Sequence, residues 1–312
     1  MADFSPEKDI PDLDGKVILV TGGTAGLGAE TVTSLVRAGA SQVYFTGRNS
    51  VAAQATVKAA IEINKDAVIR FFECDLSNLI AVKVAATKIA AQIDRLDLVF
   101  CNAGIMATPA GLSSDHYEIQ FATNHLGHAM LIRQLLPLLR KTARQPKADV
   151  RVISNTSLGY QFASCIQYDT IQTTQEAYTL GAFRRYGQSK LANLLYAKAL
   201  ARKFPEITFV SIHPGIIITT LISGLSTFNR YFTNITTFGQ QVTVQEGVKN
   251  QLWAATVAKD QVVNGAFYEP VGKPGRMTAA AKNEKMAEEL YEWTAKTLAE
   301  SPEIDNVVNT EL

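Results

Sequence analysis

The chain has 312 residues, 47% of them hydrophobic, and 30 Lys and Arg stand against 29 Asp and Glu for a formal charge of +1. This balance supplies no basic field for nucleic acid and no acidic tail, and the apolar content is ample for an extensive core. Cys74, Cys101 and Cys165 cannot all pair and show no Cys-x-x-Cys spacing, the N-terminus carries no apolar leader, and nothing approaches the roughly 18 uninterrupted apolar residues of a membrane span, so a reduced, cytoplasmic protein without a membrane span is expected.

Short apolar runs alternate with amphipathic stretches along the chain. The runs Lys16–Thr21, Gln42–Thr46, Val68–Glu73, Leu96–Cys101, Val150–Asn155, Thr208–His213 and Gly265–Glu269 predict seven strands. Helices are predicted over Gly26–Ala38, Val51–Asn64, Asn78–Ile93, Asp115–Arg140, Tyr178–Lys203, Gln245–Ala258 and Asn283–Glu300, one for every gap between strands and one at the end. Strand–helix alternation with near-continuous apolar strands is the pattern of a parallel sheet covered on both faces. The expectation is α/β: a single Rossmann-type doubly wound domain over residues 1–312, with a core at about 13–298 and a C-terminal extension at 270–312. Leu158–Glu176 and Leu221–Val244 break the alternation, read as too irregular for core, and suit binding loops.

The first strand runs into Thr21-Gly22-Gly23-Thr24-Ala25-Gly26-Leu27-Gly28 and then a helix. Strand, glycine turn and helix together form a phosphate cradle: Gly22 permits the tight turn, Gly26 admits a pyrophosphate to the backbone amides, and Gly28 lets the helix pack on the strand. The second strand ends in Gly47-Arg48-Asn49, where an NAD site would carry an acid. Arg48 offers planar donors for a 2′-phosphate instead, which favours NADP over NAD. Ala25 leaves Arg48 without a second basic residue in the turn. Asp75 is placed to accept from an adenine amino group, or else Asp75 or Ser77 caps the next helix.

The fifth strand ends in Ser154-Asn155-Thr156-Ser157, placing hydroxyls at the carboxyl edge of the sheet, where open α/β sheets bind ligands. On chemistry alone Ser154, Thr156 and Ser157 compete for the role of orienting a carbonyl. Tyr186 and Lys190, in Arg-Tyr-Gly-Gln-Ser-Lys, share one helix face, so the ammonium is expected to lower the phenol's pKa and fit it for proton transfer. His125, His128 and His213 read as packing or hydrogen-bonding residues, and no His/Cys/carboxylate cluster has metal-ligand spacing.

Thr21-Gly-x-x-x-Gly-x-Gly, Asn102-Ala103-Gly104, Asn124, Ser157 and Tyr186-x-x-x-Lys190, in this order and spacing, resemble the short-chain dehydrogenase/reductase family from about Leu13 to about Leu298. Asn124-His-Leu-Gly-His128 and His213-Pro214-Gly215 are similar to its retinol-dehydrogenase-like subgroup. The resemblance implies Tyr186 as general acid/base, Lys190 on the nicotinamide ribose, Ser157 rather than Ser154 or Thr156 on the substrate oxygen, and Asn124 supporting a proton relay through a local helix distortion. It implies a dinucleotide held by Gly22, Thr24, Gly26, Leu27, Gly28, Arg48, Asp75 and Leu76, with Asn102, Ala103 and Gly104 on the adenosine side and Pro214, Gly215, Ile216 and Thr219 at the nicotinamide. It further implies a lid at 221–244, whose Phe228, Tyr231, Phe232 and Phe238 suit a lipophilic small-molecule substrate, and assembly as a homodimer or homotetramer. The C-terminal extension is expected to close the site or mediate assembly. An NADP(H)-dependent carbonyl/alcohol oxidoreductase is the leading expectation. A nucleotide-binding regulator without turnover and a redox-neutral epimerase or isomerase are the alternatives.

Overall fold

In the computed structural model, which describes residues 4–176, 180–217 and 241–301, seven parallel strands form one sheet. They are β1 (Val17–Thr21), β2 (Gln42–Gly47), β3 (Val68–Glu73), β4 (Leu98–Cys101), β5 (Arg151–Asn155), β6 (Thr208–Ile212) and, after a short β7–β8 pair (Ile216–Ile217 with Gln241–Val242), β9 (Phe267–Tyr268). Their order is β3-β2-β1-β4-β5-β6-β9, so the winding reverses between β1 and β4. Connections leave that point in opposite directions, and the crevice at the strands' carboxyl ends is where such a sheet takes a ligand.

Strand side chains alternate between faces, and here both faces are apolar, which parallel sheets require because helices cover each side. Leu19, Val99, Val152 and Phe209 pack with Ile89, Leu135 and Leu191 of helices Leu79–Ala90, Gly127–Ala143 and Gly181–Lys203. Ile18, Phe45, Phe100 and Val210 pack with Leu35 and Leu252 of helices Gly26–Arg37 and Val244–Thr256 on the other face. The registers Cys101↔Ser154 and Asn155↔Ile212 bring the ends of β4, β5 and β6 level, so residues after each strand meet at one edge. At the opposite edge buried Asp97 accepts from Val17 N (3.0 Å), Lys16 Nζ (3.2 Å) and Arg95 Nη2 (2.6 Å), tying β1 to β4 away from the crevice.

Several sequence expectations are corrected. The helix expected over Asp115–Arg140 is three pieces: a short helix Ile119–Phe121, a π turn Ala122–Leu126, and the helix Gly127–Ala143. Leu158–Glu176, read as too irregular for core, forms two 3₁₀ turns and buries Tyr160, Ile166 and Ile171. Neither Asp75 nor Ser77 caps the next helix. Asn78 Oδ1 accepts from Ala81 N, while Asp75 Oδ1 accepts from the Ser77 amide and hydroxyl in a local turn.

The described part of the C-terminal extension does not line the crevice. Its helix, Glu284–Ala299, lies behind the crevice: Trp293 packs at 6.0 Å from Phe121 and 5.2 Å from Tyr168, Tyr291 stacks on Tyr196, and Thr294 Oγ1 is 3.0 Å from His125 Nε2. Among the described residues no helix is long and apolar enough to cross a membrane. Thr219, Phe228, Tyr231, Phe232, Phe238 and most of the expected lid lie outside the described residues.

Candidate active site

A cleft of about 810 Å³ opens at the winding reversal. At one end is the glycine turn. Gly22 and Gly26 adopt φ of +68° and +54°, the left-handed region that side chains disfavour. A Cβ on Gly22 would stand 3.0 Å from the Ala103 Cα, and one on Gly28 only 2.1 Å from the Gly22 carbonyl oxygen. Gly28 thus lets the helix begin against the turn's own backbone. That helix starts at Gly26 with no side-chain cap on its first amides, so its N-terminal donors and partial positive charge face the cleft. Thr24, Leu27, Arg48, Asp75 and Leu76 line the same end. The uncapped amides and the bare backbone at Gly22 and Gly26 fit the pyrophosphate of a dinucleotide.

Thr21 fixes the turn to the next loop. Its hydroxyl accepts from Asn102 N (2.9 Å) and Ala103 N (3.0 Å), and Asn102 Nδ2 donates to Thr21 O (2.9 Å). Asn155 Nδ2 donates onward to Asn102 Oδ1 (3.1 Å), which joins the ends of β1, β4 and β5. Gly104 lines the cleft near the chemical end: a Cβ there would lie 3.0 Å from Asn124 Oδ1 and 3.4 Å from Lys190 Nζ.

The chemical end is built on the helix Gly181–Lys203, whose four-residue spacing presents Tyr186 and Lys190 together. Lys190 Nζ donates to the Asn155 carbonyl (2.9 Å), and the Thr156 hydroxyl donates to Lys190 O (2.7 Å), clamping helix to strand end. Thr156 is committed to that clamp. The Ser157 hydroxyl, by contrast, faces the cleft beside the Tyr186 phenol and accepts from Gly159 N (3.1 Å). Asn124 is wholly buried within the π turn. Its side chain accepts from Ile105 N (2.8 Å) and donates to Ile105 O and Ser189 Oγ (both 2.9 Å), pinning the 104–105 loop to the helix that bears Tyr186.

The electrostatics differ from the expectation drawn from spacing. Burial pushes the Tyr186 phenol up to about 12, and the neighbouring Ser157 hydroxyl pulls it back only in part. Burial lowers Lys190 from 10.5 to about 8. The ammonium is 5.7 Å from the centre of the Tyr186 ring, over its face, and does not offset the desolvation of the phenol. His125, His128 and His213 are held neutral by burial, at about 3, 4 and 4.

The Lys190 shift has a thermodynamic consequence. Between pH 8 and 10.5 the unfolded chain keeps a proton on Lys190 that the folded chain has lost, so folding stability rises with pH across that window. Wild-type protein is expected to gain stability relative to Lys190→Met between pH 8 and pH 10 in urea titrations. A constant difference would show that Lys190 is not desolvated.

The cleft brings together Gly22, Thr24, Gly26, Leu27, Arg48, Asp75, Leu76, Asn102, Ala103, Gly104, Ser157, Tyr186, Lys190, Pro214, Gly215 and Ile216. Gly28 and Asn124 sit behind its wall, and Thr219 lies outside the described residues. Sequence reasoning missed Asn155, whose amide and carbonyl join Asn102 to Lys190. It also missed Gly159 and Gly187: a Cβ on Gly159 would touch the Tyr186 ring at 3.0 Å, and one on Gly187 would meet the Gly159 carbonyl at 2.5 Å. The glycine directly after Tyr186, in mid-helix where glycine costs about 1 kcal/mol, was the available signal.

A profile of the short chain dehydrogenase family matches residues 16–229. The chain is 37% identical over 298 residues to an uncharacterized oxidoreductase of Schizosaccharomyces pombe, covering 92% of this chain and 86% of that one. It is 32% identical over 310 residues to the short-chain dehydrogenase/reductase drtF of Aspergillus calidoustus, covering 95% and 98%. A crystal structure of an uncharacterized protein from Mycobacterium paratuberculosis superposes with a TM-score of 0.71 at 25% identity, over 94% of this chain and 97% of that one. With the doubly wound sheet, the glycine turn and the Ser157–Tyr186–Lys190 cluster in place, these likenesses settle its kinship: the chain belongs to the short-chain dehydrogenase/reductase family.

Proposed function

We propose that this protein is an NADP(H)-dependent oxidoreductase of the retinol-dehydrogenase-like subgroup that interconverts a carbonyl and an alcohol on a lipophilic small molecule. The observation that carries the reading is the continuity of one cleft from the glycine turn to the paired hydroxyls of Ser157 and Tyr186. A bound nicotinamide dinucleotide supplies or takes the hydride. Ser157 and Tyr186 hold the substrate oxygen between two hydroxyls, and in reduction Tyr186 gives it the proton as charge develops there. Loss of that proton leaves a phenolate that the nearby Lys190 ammonium stabilises, and Lys190 passes a proton back from the solvent side. Asn124 and Thr156 hold Lys190 and the loop in this arrangement and take no part in bond making.

Beside the hydroxyls the wall is apolar, formed by Met106, Leu158, Phe162, Phe183 and Ile217, which supports a hydrophobic carbonyl or alcohol. For NADP the support is Arg48, exposed at the cleft rim next to Thr24 and Gly47. Its neighbour Asn49 is occupied in capping the next helix through Ala52 N (2.9 Å). Arg48→Glu is expected to lower kcat/KM with NADPH roughly 10- to 100-fold, the worth of one or two charge-assisted hydrogen bonds, with little change for NADH. Equal losses for both would remove the 2′-phosphate from this position. The test of the whole reading is an NADPH-oxidation screen over hydrophobic ketones and aldehydes. Turnover of at least one class is expected, and cofactor binding without oxidation across the screen would overturn it.

A further inference from the structure

His128 lies one turn beyond Asn124, is 4% exposed, and takes no part in the reading above. Its ring touches both halves of the site. Nδ1 is 3.0 Å from the Asn124 carbonyl oxygen, and Nε2 is 2.9 Å from the Thr21 hydroxyl. A carbonyl only accepts, so Nδ1 carries the proton. A neutral ring then has Nε2 as an acceptor, and the Thr21 hydroxyl donates to it. The Thr21 oxygen already accepts from Asn102 N and Ala103 N, and its one proton lies between two acceptors, His128 Nε2 at 2.9 Å and the Phe100 carbonyl at 3.1 Å, of which the ring nitrogen is the nearer.

The carbonyl that His128 holds belongs to the π turn Ala122–Leu126, where Gly127 N bonds back five residues to Ala122 O. Such a turn widens the helix and shifts its carbonyls away from their usual donors. A side-chain donor on the Asn124 carbonyl therefore helps keep the turn open, and the turn is what aims the Asn124 amide at Ile105 and Ser189. Ser189 Oγ in turn donates to the Tyr186 carbonyl (2.7 Å). One bonded chain thus runs from the backbone amides of Asn102 and Ala103, through Thr21, His128 and Asn124, to the helix of Tyr186.

We propose that His128 is a positioning residue that couples the dinucleotide-binding turn to the proton-donating helix, through a neutral ring protonated on Nδ1 and bonded at both nitrogens. The kinetic part rests on the function proposed above. Two isosteres separate the arms. In His128→Asn the amide nitrogen can occupy the place of Nδ1 and keep the bond to Asn124, while the bond from Thr21 is lost. In His128→Gln the amide oxygen can occupy the place of Nε2 and keep the Thr21 bond, while the bond to Asn124 is lost.

The experiment measures Kd for whichever of NADPH and NADH binds more tightly, and kcat, in both variants, and records ¹⁵N spectra of the wild-type histidines. His128→Asn is expected to weaken dinucleotide binding about tenfold, with kcat held within about threefold. His128→Gln is expected to keep Kd within about twofold and to lose about tenfold in kcat, each the worth of one buried hydrogen bond. The wild-type spectrum is expected to show His128 protonated on Nδ1 alone. Equal losses of both parameters in both variants, or a ring protonated on Nε2, would overturn the coupling. If no carbonyl compound is turned over, the functional reading fails, whereas the spectrum and the two Kd values still decide the role of His128.

Discussion

Tyr186→Phe is expected to abolish turnover, by roughly a thousandfold or more, while leaving dinucleotide affinity within about twofold. General acid catalysis contributes on the order of 10²–10⁴ in rate, and among the described residues lining the cleft no second acid meets the place of the phenol. Lys190 is tied to the Asn155 carbonyl, the aliphatic hydroxyl of Ser157 is intrinsically a much weaker acid than a phenol, and His213 is kept neutral by burial. The substitution should not disturb the fold. The ring lies against Gly159 and under Lys190 Nζ, contacts that phenylalanine preserves. Because burial holds the phenol near 12, the wild-type donor remains protonated through the physiological range, and reduction should not lose its acid as pH rises from 6 to 9. Fluorescence titration and single-turnover assays measure the two quantities separately. Activity surviving in Tyr186→Phe would place the proton donor elsewhere.

Gly28→Ala is expected to have the largest effect at the nucleotide end. The added methyl would lie 2.1 Å from the Gly22 carbonyl oxygen and 2.7 Å from Asn102 Nδ2. Neither can retreat easily: Gly22 is itself wedged against Ala103, and Asn102 is bonded to Thr21 and Asn155. Overpacking of backbone costs about 1–3 kcal/mol, and here it falls on the turn that must admit a pyrophosphate. A drop of about 100-fold in dinucleotide affinity is expected, with a lowered melting temperature. Gly111→Ala is the control, because a Cβ there meets nothing within 4 Å, and it should leave both quantities unchanged. Unaltered affinity in Gly28→Ala would show that the turn does not hold the dinucleotide.

The sheet was legible because parallel strands must be apolar on both faces, and β1, buried throughout at Val17–Thr21, lies within the run Lys16–Thr21 that this pattern marks. Strand ends are less visible. Leu96 and Asp97 precede β4, where the Asp97 backbone still bonds to Val17 and Arg151 while its carboxylate accepts from Lys16 and Arg95. The distortion at Asn124 leaves no trace in hydrophobic periodicity, since all of Ala122–Leu126 is buried and offers no exposed position against which a one-residue insertion would show. The bonds at Asn124 come from beyond the π turn, from Ile105 and Ser189 to its side chain and from His128 to its carbonyl. Leu158–Glu176 misled for a related reason: its Gln and Thr residues mask isolated anchors. Tyr160 reaches the core with its hydroxyl donating to Arg276 O (2.9 Å), 116 residues away in sequence. The direction of the Tyr186 shift was equally hidden, because helical spacing fixes the neighbour and burial sets which effect wins.

The most direct measurement is the fate of the hydride. NADPH deuterated at the transferring C4 position, incubated with a hydrophobic carbonyl compound that the enzyme consumes, should yield one oxidised cofactor per alcohol formed, with deuterium on the new carbinol carbon. An alcohol without deuterium would contradict direct hydride transfer from the cofactor, and conversion without net cofactor oxidation would assign this site to redox-neutral chemistry.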